Sequence, residues 1–267
     1  MTLAKWLSAL SVLLFACGKT DPSSQPPPDP PKTDCVVDHI ASYNNSPDYM
    51  QTSYSYSSQR RLESSRNAFT ICKFYYKDTL IVKREVLYTT SVALRNYDSL
   101  FYNANGSLAQ VKMFTYDETE QEFVNDIIFK FQYTGKQLTG LDYSFEQNNQ
   151  TVTNHYEYTW DAQQNIVNNK VTNYDGSIGN AKYYYRDTVN KLAQLRVPIG
   201  LFLTNTGLAR PELLPADLPM FLSAKAMNKY DDWSGNVGVR VDMNAVLSSI
   251  TIKINDLLIY TFSLSCQ

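Results

Sequence analysis

The sequence has few of the residues from which enzyme and metal sites are most often built. Among 267 residues there are two histidines, His39 and His155, and four cysteines. No H-E-x-x-H, C-x-x-C or G-x-S-x-G motif and no phosphate-binding glycine loop occurs. Zinc needs clustered ligands, and these histidines stand alone. We therefore expect no enzymatic activity, no metal and no cofactor, and we expect both histidines to be surface or cross-strand residues.

An excess of charge of one sign is also missing. The formal net charge is -2, from 24 basic and 26 acidic residues, and no basic stripe is visible, so nucleic acid is not an expected partner. The acidic run of Asp117, Glu118, Glu120 and Glu122 lacks the alternating Asp/Asn pattern with glycine that calcium loops have. It predicts a solvated hairpin loop.

Long apolar runs are limited to residues 6–16, which follow Lys5. Eleven residues are too few for a transmembrane helix, which needs roughly 20, but they suit a secretory signal. The run ends in Leu14-Phe15-Ala16-Cys17, which resembles a bacterial lipobox. The resemblance implies a signal peptide at residues 1–16 and lipid on Cys17, with an ordinary signal and a chance cysteine as the alternative. Gly18 in place of aspartate favours the outer membrane, on either its periplasmic or its surface face.

Proline is concentrated behind this cysteine. Residues 18–34 contain six of the eleven prolines, and such a segment forms an extended polyproline II spacer. Residues 17–34 are thus predicted to be a lipid anchor and linker, with membrane lipid as the partner. Residues 35–267 remain as one domain.

Proline is then absent between Pro47 and Pro198, which is typical of consecutive strands because proline cannot donate to a sheet ladder. Alternating runs such as "HYEYTW", "IIFKFQY" and "SITIKI" are separated by polar turns. We predict an all-β fold: an antiparallel up-and-down meander of about ten to fourteen strands, strongly curved or barrel-like. A transmembrane barrel is the structural rival, which Lys130 and Lys253 within strands disfavour.

The alternation stops around residues 197–226, where prolines and leucines predict a short helical or loop insertion that covers one opening or edge. Strands are expected to resume near Val237. Elsewhere the polar turns recur at a fixed spacing: an aromatic or apolar residue comes before the turn, and Leu or Ile follows six positions later. The turn from Tyr133 to Leu138 is one residue shorter. The four full-length examples are Tyr56 to Leu62, Tyr102 to Leu108, Trp160 to Ile166 and Val241 to Leu247. This register resembles a degenerate Tyr-Asp repeat, in which only Gly106 keeps the glycine and Arg60, Gln164 and Ala245 replace it.

The lipobox, the aromatic hairpins, the interruption ending in "FLSAKAMNKY" and a last strand ending in Cys266 together resemble a family of secreted Bacteroidetes lipoproteins of unknown function, with a porin-like β fold. The resemblance spans residues 35–267 and implies fold and location only. Of the three cysteines left after Cys17, Cys35 and Cys266 are the natural disulfide pair if the first and last strands are neighbours. Pairing of Cys35 with Cys72 stays open.

Aromatic content is the remaining functional signal, with 20 tyrosines, 12 phenylalanines and 3 tryptophans. Same-face pairs are expected to fill a curved core, whereas Tyr75 and Tyr184 face the other way and are candidates for ligand contact. The predicted function is a non-enzymatic scaffold or binding module in the envelope, with a glycan or an envelope protein as its partner. The alternatives are a glycan-binding lipoprotein of a polysaccharide uptake system and a carrier of an apolar ligand in an open barrel. The same-face pairs are Tyr54 and Tyr56, Phe74 and Tyr76, Tyr156 and Trp160, and Tyr183 and Tyr185.

Overall fold

The computed structural model describes residues 35–42, 50–190, 193, 218–219, 222–231, 239–246, 249–254 and 257–265. These residues form sixteen strands, and only a few isolated positions near residues 193 and 218–222 are helical. The strands are β1 (Val36–Ser42), β2 (Met50–Tyr56), β3 (Leu62–Arg66), β4 (Thr70–Lys77), β5 (Leu80–Tyr88), β6 (Leu94–Tyr102), β7 (Leu108–Asp117), β8 (Glu122–Thr134), β9 (Gln137–Gln147), β10 (Gln150–Trp160), β11 (Ile166–Thr172), β12 (Ile178–Val189), β13 (Lys225–Asp231), β14 (Val239–Val246), β15 (Ser249–Ile254) and β16 (Leu257–Ser265).

Each strand pairs antiparallel with the strands before and after it in sequence, and β1 also pairs with β16. The strand order therefore returns to its start as a closed barrel. Strands β13 and β14 pair through Lys229 with Arg240 and Tyr230 with Val239. The all-β, up-and-down meander predicted from the alternating runs is confirmed, with two strands more than the upper bound expected.

One of the additional strands is β13, which begins inside the predicted insertion and before the expected restart at Val237. Its sequence, KAMNKYD, has no β-branched residue and two lysines, so β propensity gives no signal for it. Backbone pairing with β12 stabilises the strand, and Ala226 and Met227 are buried against the core. Tertiary pairing overrides local preference here.

Apolar side chains fill the inner face of the barrel around its circumference. Phe129, Leu141, Ile166, Val241 and Phe262 are almost completely buried. All four same-face aromatic pairs belong to or pack against this core, as predicted. Burial of such side chains contributes about 1.5–3 kcal/mol each. The interior is a packed core, an arrangement that does not favour a carrier with an empty lumen.

The recurring turns share one backbone geometry. In the turns that follow Tyr56, Tyr102 and Trp160, the fourth residue after the aromatic has a left-handed backbone: Arg60 (φ 59°), Gly106 (φ 82°) and Gln164 (φ 62°). The amide of that residue donates to the carbonyl three positions earlier in each case. The three turns therefore share the backbone conformation and its hydrogen bond, although only one of them has a glycine at this position.

The prediction of a fourth turn in this register, from Val241 to Leu247, is wrong. Strand β14 continues through Ala245 to Val246, and Ala245 pairs with Ile250. The predicted turn positions are therefore strand positions, and Leu247 lies outside the described residues. The apolar spacing of a continuous strand reproduced the spacing of the turn by coincidence.

The left-handed position predicts opposite effects for two matched substitutions. Gly106→Ala should lower the free energy of unfolding by about 1 kcal/mol, because an L side chain is strained in this region. A Cβ on Gly106 would meet nothing within 4 Å, so backbone strain is the whole effect. Gln164→Gly should raise the stability by a similar amount. Urea unfolding followed by tryptophan fluorescence measures both, and changes of the same sign would contradict the shared geometry.

At one end of the barrel, even-numbered strands end and odd-numbered strands begin, and an aromatic side chain marks six of these junctions, those after β2, β4, β6, β8, β10 and β12. We call these residues the aromatic mouth. At each of the six junctions the ladder shifts by one residue as a β-bulge immediately before the aromatic. Five of the aromatics then pair with a Leu or Ile at the first or second position of the next strand. The aromatic mouth consists of Tyr56, Tyr76, Tyr102, Tyr133, Trp160 and Tyr185.

Polar groups of the aromatic mouth join the open ends of individual hairpins. Tyr76 donates its hydroxyl hydrogen bond to the carbonyl of Leu62 at 2.9 Å, and Tyr102 donates to the carbonyl of Ile81 at 2.8 Å. The indole N–H of Trp160 donates to the carbonyl of Leu138 at 2.7 Å. Tyr56 and Tyr185 make the same bond to Val37 and Ile166. Each rung joins a strand end to the start of the preceding strand.

The described residues of the insertion lie at this same mouth. Leu218 is completely buried in the core. Ser223 accepts a hydrogen bond from the amide of Ile166 at 3.0 Å, and its hydroxyl lies 2.8 Å from that of Tyr185. The remainder of the predicted insertion lies outside the described residues. No helix in the described part of the chain is both long and apolar enough to cross a membrane.

Candidate functional site

The outer face of strands β4–β8 carries an unusual concentration of lysines and aromatic rings. Cross-strand pairing places them in three rows. One row runs through Tyr75, Lys83, Ser99, Lys112 and Ile128, and the next through Lys73, Glu85, Tyr97, Phe114 and Asn125. A third row contains Phe101, Gln110 and Lys130. We call this surface the basic aromatic wall, defined by Lys73, Tyr75, Lys83, Tyr97, Phe101, Lys112, Phe114 and Lys130.

The charge of this wall differs in sign from that of the whole chain. Its three rows contain four lysines and one carboxylate, Glu85, whereas the chain has a formal net charge of -2. Strands lie about 4.8 Å apart, so five strands form a face about 19 Å wide. The wall is a positively charged surface on an otherwise weakly acidic protein.

Glu85 fixes the positions of two neighbours on the wall. Its Oε1 lies 2.7 Å from Nζ of Lys83, and its Oε2 accepts a hydrogen bond from the Tyr75 hydroxyl at 2.5 Å. Partial burial raises the pKa of Glu85, but the bonds from Lys83 and Tyr75 outweigh it, so that the net pKa is lowered. The bond to Glu85 raises the pKa of Tyr75. The carboxylate is thus held ionised and is neutralised locally by Lys83.

The aromatic rings of the wall lie against one another and beneath lysine side chains. Tyr97 stacks on Phe114 with ring centroids 4.6 Å apart and an interplanar angle of 12°. Phe123 packs edge-on against Tyr97 at 5.1 Å. The ammonium of Lys83 lies 4.9 Å from the Tyr97 centroid, and that of Lys112 lies 5.7 Å from the Phe101 centroid. These contacts hold each ring against its neighbours on the outer face of the sheet.

Tyr75 and Tyr184 are both exposed, at 41% and 37% of their surface, as their strand parity predicts. They do not share a surface, because β4 and β12 lie eight positions apart in a ring of sixteen strands. Their surroundings are nevertheless alike. The Tyr184 hydroxyl donates to Asp231 at 2.9 Å, and Nζ of Lys229 lies 4.2 Å from its ring centroid. Tyr184 belongs to a small isolated cluster, whereas Tyr75 belongs to the wall.

Inside the barrel, a polar group interrupts the apolar core. Arg84 and Asp98 pair across β5 and β6, with Nη2 and Oδ2 2.6 Å apart and side chains 4% and 1% exposed. Burial raises the pKa of Asp98 despite the opposing charge of Arg84. Nearby, the Cys72 thiol is paired across the ladder with Ser65, and burial raises its pKa too. A buried thiol of high pKa is a poor nucleophile, so this cluster is structural.

The other titratable candidates match the expectations from sequence. His155 lies opposite Asp142 on the neighbouring strand, with Nδ1 and Oδ1 2.8 Å apart. His39 is a strand residue in β1. Asp117 closes the turn between β7 and β8 by accepting the amides of Thr119 and Glu120, which lowers its pKa. Within the described residues, no three His, Cys, Asp or Glu side chains come close enough to hold a metal ion.

The structure reduces the number of possible disulfide pairings of Cys35. Cys35 is disulfide-bonded, whereas Cys72 is a buried thiol. The alternative pairing of Cys35 with Cys72 is therefore excluded, and the partner of Cys35 lies outside the described residues. Cys17 and Cys266 also lie there, so the lipidation site and the disulfide between Cys35 and Cys266 stay predictions.

The basic aromatic wall was missed in the sequence, where no basic stripe is visible. Its lysines are spread over residues 73–130 and come from four different strands. Period-2 parity identifies the outward residues of each strand, but bulges at Tyr76 and Tyr102 reset that parity near the strand ends. The residues therefore assemble only when the register of every hairpin is known. Aligning the strands on the recurring turns would have been the available signal.

Comparison with known proteins gives structural likeness without sequence likeness. Neither protein-family models nor curated proteins match this chain. A protein from Bacteroides uniformis described as porin-like superposes with a TM-score of 0.54 at 10% identity, covering 89% of this chain and 99% of its own. This chain has a porin-like β fold. The fold implied by the sequence resemblance is thereby confirmed, and at this level of identity the likeness concerns the fold alone.

Two further similarities are weaker. A porin-like protein from Bacteroides vulgatus gives a TM-score of 0.38 at 13% identity, covering 86% of this chain and 98% of its own. A DUF3836 family protein from Parabacteroides distasonis gives 0.26 at 20% identity, covering 32% of this chain and 87% of its own.

Proposed function

We propose that this chain is a lipid-anchored, non-enzymatic binding module of the outer membrane, held by lipid on Cys17 and using the outer surface of its barrel. The carrying observation is the contrast between the two faces of the sheet. The inner face is packed with core side chains, and the outer face of β4–β8 presents the basic aromatic wall. A ligand would therefore meet exposed rings and lysines on the outer face of the described strands.

The anchor part of the proposal rests on the sequence at Leu14-Phe15-Ala16-Cys17. More than one acyl chain makes anchoring durable, and the proline-rich linker provides reach. The linker joins the domain at Cys35, directly before β1, so the tether meets the barrel at the aromatic mouth. Lysines in the middle of the outward rows also favour a tethered barrel over one immersed in lipid, where each would cost about 2–4 kcal/mol at the midplane.

The lipidation prediction is tested by metabolic labelling. In a Gram-negative host, the wild type should incorporate labelled palmitate and accumulate as a precursor when globomycin blocks the lipoprotein signal peptidase. Cys17→Ala should abolish labelling completely, because the acylated thiol is gone. Cys72→Ser is the matched control and should label normally. Palmitate on Cys17→Ala, or none on the wild type, would overturn the anchor.

The second candidate, a glycan-binding lipoprotein, is favoured by one specific observation, which is that cross-strand pairing brings Tyr75, Tyr97, Phe101 and Phe114 together with lysines on one outer face. A scaffold that contacts only envelope proteins remains the simpler form of the binding module. The two forms differ in whether a soluble polysaccharide binds the purified chain.

A further inference from the structure

We propose that the basic aromatic wall is a binding site for an acidic polysaccharide. This inference rests on the binding-module function and names the ligand class and the surface. The charges on the wall favour an anionic ligand, because four lysines face outward and only two carboxylates lie beside them. Glu85 is neutralised by Lys83, and Asp142 of β9 lies opposite Lys130 and 2.8 Å from His155. The surplus positive charge therefore calls for an anionic occupant.

The alternation of ring and cation identifies the occupant as a sugar polymer. The C–H face of a pyranose ring packs on an aromatic face, and a uronate carboxylate pairs with an ammonium group. Tyr75 is opposite Lys83 on the neighbouring strand, and Phe101 lies beneath Lys112. A chain of acidic sugars laid across β4–β8 would meet both kinds of group at each step. The rigid stack of Tyr97 on Phe114 offers this surface with little ordering cost.

The same geometry disfavours an anionic membrane surface as the occupant. Aromatic residues that anchor proteins at membrane interfaces form belts that project into the headgroup region, next to an apolar band. On the wall the rings contact one another and the lysine side chains, the most exposed ring being Phe101 at 45%, and lysines are interspersed among them instead of an apolar band.

The test uses the full lipidated chain in neutral detergent micelles and titration calorimetry with polygalacturonate. Dextran serves as the uncharged polysaccharide and polyglutamate as the sugar-free polyanion. Polygalacturonate should bind, with an affinity that falls as salt is raised because the contacts are exposed. Dextran and polyglutamate should bind at least tenfold more weakly, since each lacks one of the two kinds of contact.

Two matched pairs of variants locate the site. Tyr75→Ala and Lys112→Gln, on the wall, should each weaken polygalacturonate binding roughly threefold, the range of a single exposed contact. Tyr184→Ala and Lys182→Gln, on the outer face of β12, should leave it unchanged. Tyr184 is a close control because it has the same exposure, a carboxylate on its hydroxyl and a lysine on its ring.

The membrane alternative has its own readout. With the chain anchored in phosphatidylcholine vesicles, acetylation of Lys112 measured by mass spectrometry should be slowed by polygalacturonate and not by added phosphatidylglycerol. Protection by phosphatidylglycerol, absence of polygalacturonate binding, or equal binding of polyglutamate would each overturn the proposal. Palmitate labelling is independent of all these results, so a failed sugar site and a failed anchor can be told apart.

Discussion

Cys35→Ser is expected to lower the free energy of unfolding by about 5 kcal/mol, the estimate for a disulfide that closes a loop of about 230 residues. Cys35 is disulfide-bonded and directly precedes β1, whose Val36 pairs with Ser265 of β16. Cys266 is the next residue after Ser265, so the predicted pair would bridge the first and last strands. The crosslink would then reduce the entropy of almost the entire unfolded domain.

Urea unfolding of oxidised and reduced protein measures the effect, and peptide mapping under non-reducing conditions identifies the pair. Cys266→Ser should match Cys35→Ser, and the double variant should be no less stable than either single variant, because all three remove one bond. Cys72→Ser should not change the mapped disulfide. Additive losses for Cys35→Ser and Cys266→Ser, or a peptide joining Cys35 to another cysteine, would contradict the predicted pair.

Asp98→Ala should lower the free energy of unfolding by about 4 kcal/mol, because removing one partner of a buried ion pair leaves the other charge uncompensated. Arg84 would remain 4% exposed in the barrel core with its nearest carboxylate gone. Replacing both residues with apolar side chains of similar volume, as in Arg84→Met with Asp98→Leu, should recover most of the loss. The pair thus costs much to break and little to replace.

Denaturant unfolding at constant pH and salt measures the free energy of unfolding of the wild type, of Asp98→Ala and of the double variant. The backbone pairing of β5 with β6 is the same in all three proteins. Lys83→Ala is a useful control, since it breaks an exposed ion pair on the same strand and should cost no more than about 1 kcal/mol. A double variant as unstable as Asp98→Ala, or a loss below that of Lys83→Ala, would show that burial of charge does not control stability at this point.

Much of the fold could be predicted because period-2 alternation, proline exclusion and turn composition all point to the same structure. Tyr156 and Tyr183 are buried, while Tyr75 and Tyr184 are exposed, as parity alone requires. Parity fails where a bulge inserts a residue, and that happens beside each aromatic of the mouth. Strand β13 was not predicted for a different reason. Its sequence has two lysines and no β-branched residue, and it is pairing with β12 that stabilises it as a strand.

The candidate site was less accessible to sequence reasoning than the fold. Tyr75 was singled out as exposed, but the lysines that give its surroundings their charge come from other strands, and Lys112 lies 37 residues further along the chain. Such a surface depends on the relative register of several hairpins, and a shift of one residue would turn its side chains inward. The charge of a whole chain says little about the charge of one face.

The aromatic mouth has a consequence for how such a barrel can change size. Five hairpins contain both partners of this hydrogen bond, a donor near the end of the second strand and an acceptor carbonyl near the start of the first strand. Duplicating one hairpin would therefore add one more identical rung without requiring any new kind of contact, as in repeat proteins whose stability is a sum of nearest-neighbour terms. Sixteen strands can therefore be regarded as one of several possible barrel sizes, reached by duplicating a hairpin that already contains its own hydrogen bond at the mouth.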